Sequence, residues 1–224
     1  MSSRALVIAI DGPSGAGKGT VSRAIARTLG YRHIDTGAMY RAVAWLAAHD
    51  GLDLYDAPVL AALASKATID LGDAVVIDGH DVTSAIRTPA IDRAAAIVAQ
   101  HPSVRQLLVE RQRAYGLDGG VVMEGRDIGS VVFPGADVKV YLDATPEERA
   151  RRRSLDPAHA AGRETAGVTQ VAEALAARDR TDSTRTASPL VVPPGAVYID
   201  TTGVPIDDVV HRVRALIDAK LAPA

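Results

Sequence analysis

The sequence predicts an α/β fold, a five-stranded parallel sheet flanked by helices with an antiparallel insertion, and three observations predict it. Five strand-like runs recur along the chain, separated mostly by stretches of helical character, the alternation that covers a parallel sheet on both faces. The first run leads through a glycine-rich loop straight into a helix-like segment, which puts a phosphate-binding turn at the C-terminal end of the first strand. From residue 67 to 82 the texture changes to short alternating runs around Gly/Asp turns, the mark of an antiparallel hairpin set into the parallel pattern.

The first strand is the apolar run 5–10. It enters the loop Gly12-Pro13-Ser14-Gly15-Ala16-Gly17-Lys18-Gly19-Thr20, whose glycines let the backbone bend tightly and turn several N–H groups toward one anion. Lys18 adds a mobile full charge, and the hydroxyl expected after it comes one residue late, at Thr20. A helix over 21–29 stops at Gly30, and 31–35 is a second strand. Small apolar residues over 42–49 read as a packed helix, and Asp56 and Pro58 open another that runs to Lys66. The antiparallel excursion, with the helix at 88–100 behind it, makes an inserted subdomain over 67–100 within a single domain spanning 1–224. A helix over 102–115, strands at 121–124 and 138–142, and a helix opened by Thr145, Pro146 and Glu148 as a capping box come next. Arg149, Arg152 and Arg153 fall on one face of that helix by their spacing. The end of this helix and the polar, Gly-bearing segment after it, 150–167, are expected to form a mobile lid. A helix over 168–182, a Pro-rich connector, a fifth strand at 197–200 and a last helix over 206–221 complete the chain; the last helix carries its apolar stripe at Val209, Val210, Val213, Leu216 and Ile217.

Composition narrows the function. A formal net charge of −2 with 4% aromatic residues provides neither the electrostatic groove nor the stacking surface of a nucleic-acid binder, so any phosphate contact has to be local. The chain has no cysteine, which removes thiolate metal sites and cysteine nucleophiles. The first apolar run is too short for a membrane span or signal core, so the expectation is a cytoplasmic enzyme with no membrane and no obligate protein partner. All but four of the 25 basic residues are arginine, a bias that base composition accounts for at most positions.

A phosphate loop specifies a nucleotide, not a reaction. A switch GTPase needs a guanine-reading Asn-Lys-x-Asp, and the chain contains no asparagine. What it offers instead is arginine beside strand ends and in the lid region: Arg41, Arg105, Arg126, Arg149, Arg152, Arg153, Arg178 and Arg185. Two phosphate chains brought together repel, and guanidinium groups bind their oxygens bidentately and neutralise developing charge. Thr20 and Glu124, a hydroxyl and a strand-end carboxylate, are candidates to face Mg²⁺ carried by ATP, Glu124 through water.

The loop Gly12 to Thr20, the segments Asp35-Thr36-Gly37-Ala38-Met39-Tyr40-Arg41 and Glu124-Gly125-Arg126-Asp127-Ile128-Gly129-Ser130-Val131-Val132-Phe133-Pro134, and Arg178-Asp179-Arg180-Thr181-Asp182-Ser183-Thr184-Arg185 together resemble the bacterial cytidylate kinases, in that family's order. The resemblance implies a P-loop nucleoside-monophosphate kinase that transfers the ATP γ-phosphoryl group to CMP or dCMP. It implies that Gly12, Pro13, Ser14, Gly15, Ala16, Gly17, Lys18, Gly19 and Thr20 hold ATP, that Thr36 and Arg41 surround the CMP phosphate with Arg126 beside the transferring group, that Arg105, Asp127 and Arg185 read cytosine, that Arg178 and Asp182 contact phosphate and ribose, and that Lys18, Arg126, Arg153 and Arg178 are the catalytic residues. The chain departs from the pattern at Ala96, where some members carry a serine near the base, and at Glu124, where several carry aspartate. No general base is needed, because a phosphate monoester with a second pKa of about 6 is mostly dianionic at pH 7. No histidine falls in a motif segment, and His33 reads as a strand-end or core residue. A UMP/CMP or AMP kinase of the same architecture, and a protein that holds ATP without transferring it, are the competing readings.

Overall fold

The computed structural model describes residues 5–156 and 168–222. Val7–Asp11 (β1) is followed by Lys18–Leu29 (α1), Arg32–Asp35 (β2), Thr36–His49 (α2) and Ala57–Lys66 (α3). Ile69–Leu71 (β3), Val75–Ile77 (β4) and His80–Asp81 (β5) lead through a 3-10 turn at Ala85–Arg87 to Pro89–Val98 (α4) and Pro102–Tyr115 (α5). Then come Val121–Gly125 (β6), a π-helical turn Ile128–Val132, Val138–Asp143 (β7), Pro146–Leu155 (α6), Val168–Thr184 (α7), Val197–Asp200 (β8) and Ile206–Leu221 (α8). The large sheet is parallel, in the order β2-β6-β1-β7-β8.

Alternation along the strands assigns each face a layer. Ile8, Ile10, Val122, Val140 and Leu142 pack against Val21 and Ile25 of α1 and Val209, Val213 and Ile217 of α8. Ala9, Ile34, Val121 and Met123 face the other way, onto Val109 of α5 and the π-helical turn. A third cluster joins α2, α3, α4 and α5 to Val75 and Ile77 of β4, so the small sheet shares its core with the helices around it. Burying each such aliphatic side chain contributes about 1.5–3 kcal/mol before the entropy of ordering it.

Four local differences from the sequence reading have physical causes. The insertion is a three-stranded antiparallel sheet rather than a two-stranded hairpin, because the turn at Asp78 and Gly79, both at positive φ, returns His80 and Asp81 to pair with β4. The helix expected over 42–49 begins six residues earlier, since Asp35 caps it by accepting from the Ala38 N–H at 3.1 Å. Only half of the capping box on α6 forms. Thr145 Oγ1 accepts from the Glu148 N–H at 3.3 Å, but the Glu148 carboxylate turns to Arg151 and Arg152, and the Thr145 N–H goes to Thr202. Arg149, Arg152 and Arg153 part company despite their spacing: Arg149 reaches Ala144 O, Ser14 O and Asp179, Arg152 reaches Thr201, and Arg153 reaches Asp92. Most of the expected lid, 157–167, lies outside the described residues.

One feature of the large sheet prepares the site. Every parallel strand carries an acid at or next to its C-terminal residue: Asp11, Asp35, Glu124, Asp143 and Asp200. The chain turns there, and turning exposes N–H groups that a short carboxylate can accept. Asp143 takes the Ala144 N–H and Asp200 the Thr202 N–H, each at 2.8 Å.

Candidate active site

The C-terminal edge of the sheet opens into a cavity of about 700 Å³. Its floor is the loop from Ser14 to Lys18 with Gly19 and Thr20 of the first turn of α1. Gly12 lies behind that floor at φ 144°, where a Cβ would stand 1.9 Å from the Leu142 carbonyl oxygen, so no other residue fits between β1 and β7 at this point. Gly17, at φ 92°, tips the chain into α1 and leaves the helix N-terminus, with its unpaired N–H groups, facing the cavity. Lys18 is buried and donates from Nζ to Pro13 O at 2.7 Å, which holds the ammonium across the mouth of the loop. Burial, and after it the charge of Arg126, pushes its pKa down to about 7. A phosphate-rich ligand would reverse that, because it restores opposite charge.

Asp11 fixes the loop to the next segment. Its fully buried carboxylate accepts from the Ile128 and Gly129 N–H groups, each at 2.7 Å, pinning the π-helical turn against β1 and setting where Arg126 and Asp127 stand. Burial raises its pKa to about 6, with the two N–H donors opposing.

The wall is made of arginines that each share an acid. Asp182 on α7 accepts from Arg126 Nε and Arg185 Nη1, both at 3.0 Å, with Arg178 Nε 4.0 Å away. Burial would raise the Asp182 pKa, but Arg126, Arg178 and Arg185 outweigh it and hold it low. Asp92 on α4 takes Arg178 Nη1 at 3.4 Å and also Arg153. Arg105 pairs with Asp127 and lies over the Tyr40 ring, 5.3 Å from its centre. Arg41 Nη2 donates to Asp35 at 2.8 Å. Partial burial works against the Asp35 charge, yet Arg41, then His33 and Arg87, bring its pKa down to about 2.

The pairing orients each guanidinium without using it up. Arg41 Nε, Arg105 Nε, Arg178 Nε and Arg185 Nη2 are buried and have no hydrogen-bond partner among the described residues. A buried donor left unpaired costs about 1–3 kcal/mol, so four of them in one neighbourhood suit a receptor for a ligand rich in acceptor oxygens. Of the residues singled out in the sequence, Ser14 through Thr20, Thr36, Arg41, Arg105, Glu124, Arg126, Asp127, Arg153, Arg178, Asp182 and Arg185 all line this one cavity. Gly12 and Pro13 do not; they shape the loop from behind.

Sequence reasoning missed the acids that hold the arginines, Asp35 and Asp92 above all, along with Asp11 and Tyr40. His33 stands on β2 as read, but its partner was not seen: its Nε2 lies 2.9 Å from Glu124 Oε1. The strand-end acids were visible as a pattern, but the partner of each arginine was not, since the pairs lie 22 to 86 residues apart where they cross between elements. Thr20 and Glu124 bring a hydroxyl and a carboxylate to the start of α1, hard oxygen donors of the kind Mg²⁺ takes together with several waters. No three His, Cys, Asp or Glu side chains converge into a metal cage among the described residues. No helix among them is long and apolar enough to cross a membrane.

Comparison with known proteins adds to this geometry. The family profile described as cytidylate kinase matches residues 8–219. The chain is 49% identical to the cytidylate kinase of Pelotomaculum thermopropionicum over 218 residues, covering 95% of this chain and 96% of that one. It is 46% identical to the cytidylate kinase of Desulfitobacterium hafniense over 220 residues, covering 96% and 94%. Among solved structures, a gluconokinase from Sinorhizobium meliloti shares the fold at TM-score 0.50 and 16% identity, covering 98% of this chain and 94% of that one.

Proposed function

Because this chain belongs to the cytidylate kinase family, we propose that it transfers the γ-phosphoryl group of ATP to CMP or dCMP, giving ADP and CDP or dCDP. The observation that carries the reading is the single cavity in which a helix N-terminus and Lys18 face a wall of half-used arginines. A donor and an acceptor phosphate chain fit between them.

On this reading residues 12–20 form the ATP site, Gly12 and Pro13 by shaping the loop and Ser14 through Thr20 by contact. The acceptor phosphate lies against Thr36, Arg41 and Arg126. Its dianion attacks the γ-phosphorus directly, so no side chain has to remove a proton. Lys18, Arg126, Arg153 and Arg178 neutralise charge on the transferring group and the bridging oxygen, which is most of the catalysis phosphoryl transfer requires. Asp127, acceptor-only when ionised, takes the cytosine amino group while Arg105 and Arg185 complete base recognition, and Asp182 meets the ribose. Mg²⁺ bound with ATP supplies charge neutralisation between the phosphates, and Thr20 and Glu124 are the residues that would hold it, Glu124 through water.

The test is ADP release from ATP with CMP, dCMP, UMP or AMP as acceptor. CMP and dCMP should give the highest kcat/KM. Equal rates with UMP or AMP would point to a broader kinase, and no acceptor-dependent ADP release would leave a protein that holds ATP without transferring it.

A further inference from the structure

The contact between His33 and Glu124 is not accounted for by phosphate transfer or by core packing. β2 and β6 are parallel neighbours in the register His33 with Val122 and Asp35 with Glu124. Ile34 and Met123 point to the α5 side of the sheet, so His33 and Glu124 project together from the opposite face, beneath α1. There His33 Nε2 meets Glu124 Oε1 at 2.9 Å, with the imidazole 20% and the carboxylate 9% exposed. A carboxylate oxygen accepts, so the hydrogen sits on Nε2 and the histidine donates.

The same oxygen is confined from a second side. A Cβ on Gly19, in the first turn of α1, would stand 3.1 Å from Glu124 Oε1, closer than such contacts usually come. Glutamate has three side-chain torsions, and an acid of that length at a strand end samples several rotamers unless held. Here one oxygen is tied to β2 and lies where any side chain on Gly19 would crowd it. Oε2 has no hydrogen bond from any described residue.

We propose that His33 is a positioning residue: it fixes Glu124 Oε1 so that Oε2 is the oxygen presented toward the divalent cation bound with the nucleotide. The proposal rests on the reading of Glu124 as the acid facing that cation. It also gives Gly19 a purpose, since a larger residue there would displace the carboxylate that His33 holds.

The experiment measures Mn²⁺ affinity in the presence of saturating ADP, by paramagnetic resonance of free and bound Mn²⁺, for the wild type and for His33→Leu, His33→Gln, Glu124→Gln and the double variant His33→Leu with Glu124→Gln. Losing an outer hydrogen bond to a metal-facing group commonly lowers affinity 10- to 100-fold, and a contact relayed through water should fall at or below the lower end, so His33→Leu is expected to weaken Mn²⁺ by about three- to tenfold. His33→Gln keeps an N–H donor and should recover affinity to within about twofold, while CMP affinity stays unchanged in both. In the double variant the histidine change should add nothing to the loss from Glu124→Gln. A His33→Leu protein with lowered Tm but wild-type Mn²⁺ affinity would make His33 a packing residue and overturn the proposal. Unchanged Mn²⁺ affinity in Glu124→Gln would instead remove the premise about Glu124, and that result is separable because it does not involve His33.

Discussion

The floor and the wall of the cavity are built by different means. The floor is main chain: a loop closed by Lys18 on Pro13, five residues away, with a helix N-terminus behind it. The wall is side chain: Arg126 on Asp182 across 56 residues, Arg153 on Asp92 across 61, Arg178 on Asp92 across 86. A floor of this kind serves any nucleotide triphosphate, since N–H groups and one ammonium see only phosphate. Discrimination among acceptors has to come from the wall, where acids fix the direction of the guanidinium groups and Arg41, Arg105, Arg178 and Arg185 each keep a buried donor with no partner among the described residues.

Removing charge from the floor should have the largest effect. Lys18→Ala is expected to lower kcat by about 10³-fold, because the ammonium neutralises charge that develops in transfer, while Tm stays close to wild type. Turnover within tenfold of wild type would move the burden of catalysis from floor to wall.

Breaking the wall should look different. Asp182→Ala strips the shared partner from Arg126, Arg178 and Arg185, leaving buried cations uncompensated, so stability should fall by about 3–5 kcal/mol and kcat/KM for CMP by about 100-fold. ADP, proposed to rest on the floor, should keep its affinity within about threefold. Equal losses for ADP and CMP, measured by calorimetry, would mean that floor and wall act as one unit.

The floor should also announce itself through pH. The free Lys18 has its pKa lowered to about 7 by burial and by Arg126, and a bound phosphate favours the ammonium, so the pKa rises on binding. Affinity for ADP is therefore full below about pH 7 and is lost as pH rises above it, by about tenfold between pH 6.5 and 8.5, with proton uptake on binding. Lys18→Met should bind ADP more weakly but with a flat profile across this range. A slope that survives in Lys18→Met would belong to another group.

How much was legible in the sequence follows the same division. Residues 12–20 could be read because glycine spacing, lysine and helix onset are all local, and the five parallel strands because strand-like runs alternating with helices admit few other folds. The fourth segment of the family pattern pointed to Arg178, Asp182 and Arg185, but not to the fact that the Asp182 carboxylate would serve Arg126, Arg178 and Arg185 together. Asp92 carried no signal at all: an acid in the first turn of a helix is ordinary, and only the packing of α4 against α7, with α6 packed on α7, brings it to Arg178 and Arg153. The start of α2 at Thr36 was missed because Asp35 was read only as the last residue of a strand, and it is both strand end and helix cap. His33 was set aside because its neighbour Glu124 is 91 residues away, on a strand whose register no local pattern fixes.

If the wall chooses cytidine, the choice turns on Asp127. Cytosine offers an amino donor where uracil offers a carbonyl oxygen, and a carboxylate facing uracil leaves two acceptors opposed in a dry pocket, at a cost of about 1–3 kcal/mol or more. Asp127 is buried, held by Arg105, and lines the cavity beside Arg126. Asp127→Asn presents both a donor and an acceptor at the same size. The decisive measurement is kcat/KM for CMP and for UMP in the wild type and in Asp127→Asn. The account predicts a lower value for CMP and a CMP/UMP ratio narrowed by about tenfold or more. An unchanged ratio, whatever the fall in overall rate, would contradict it.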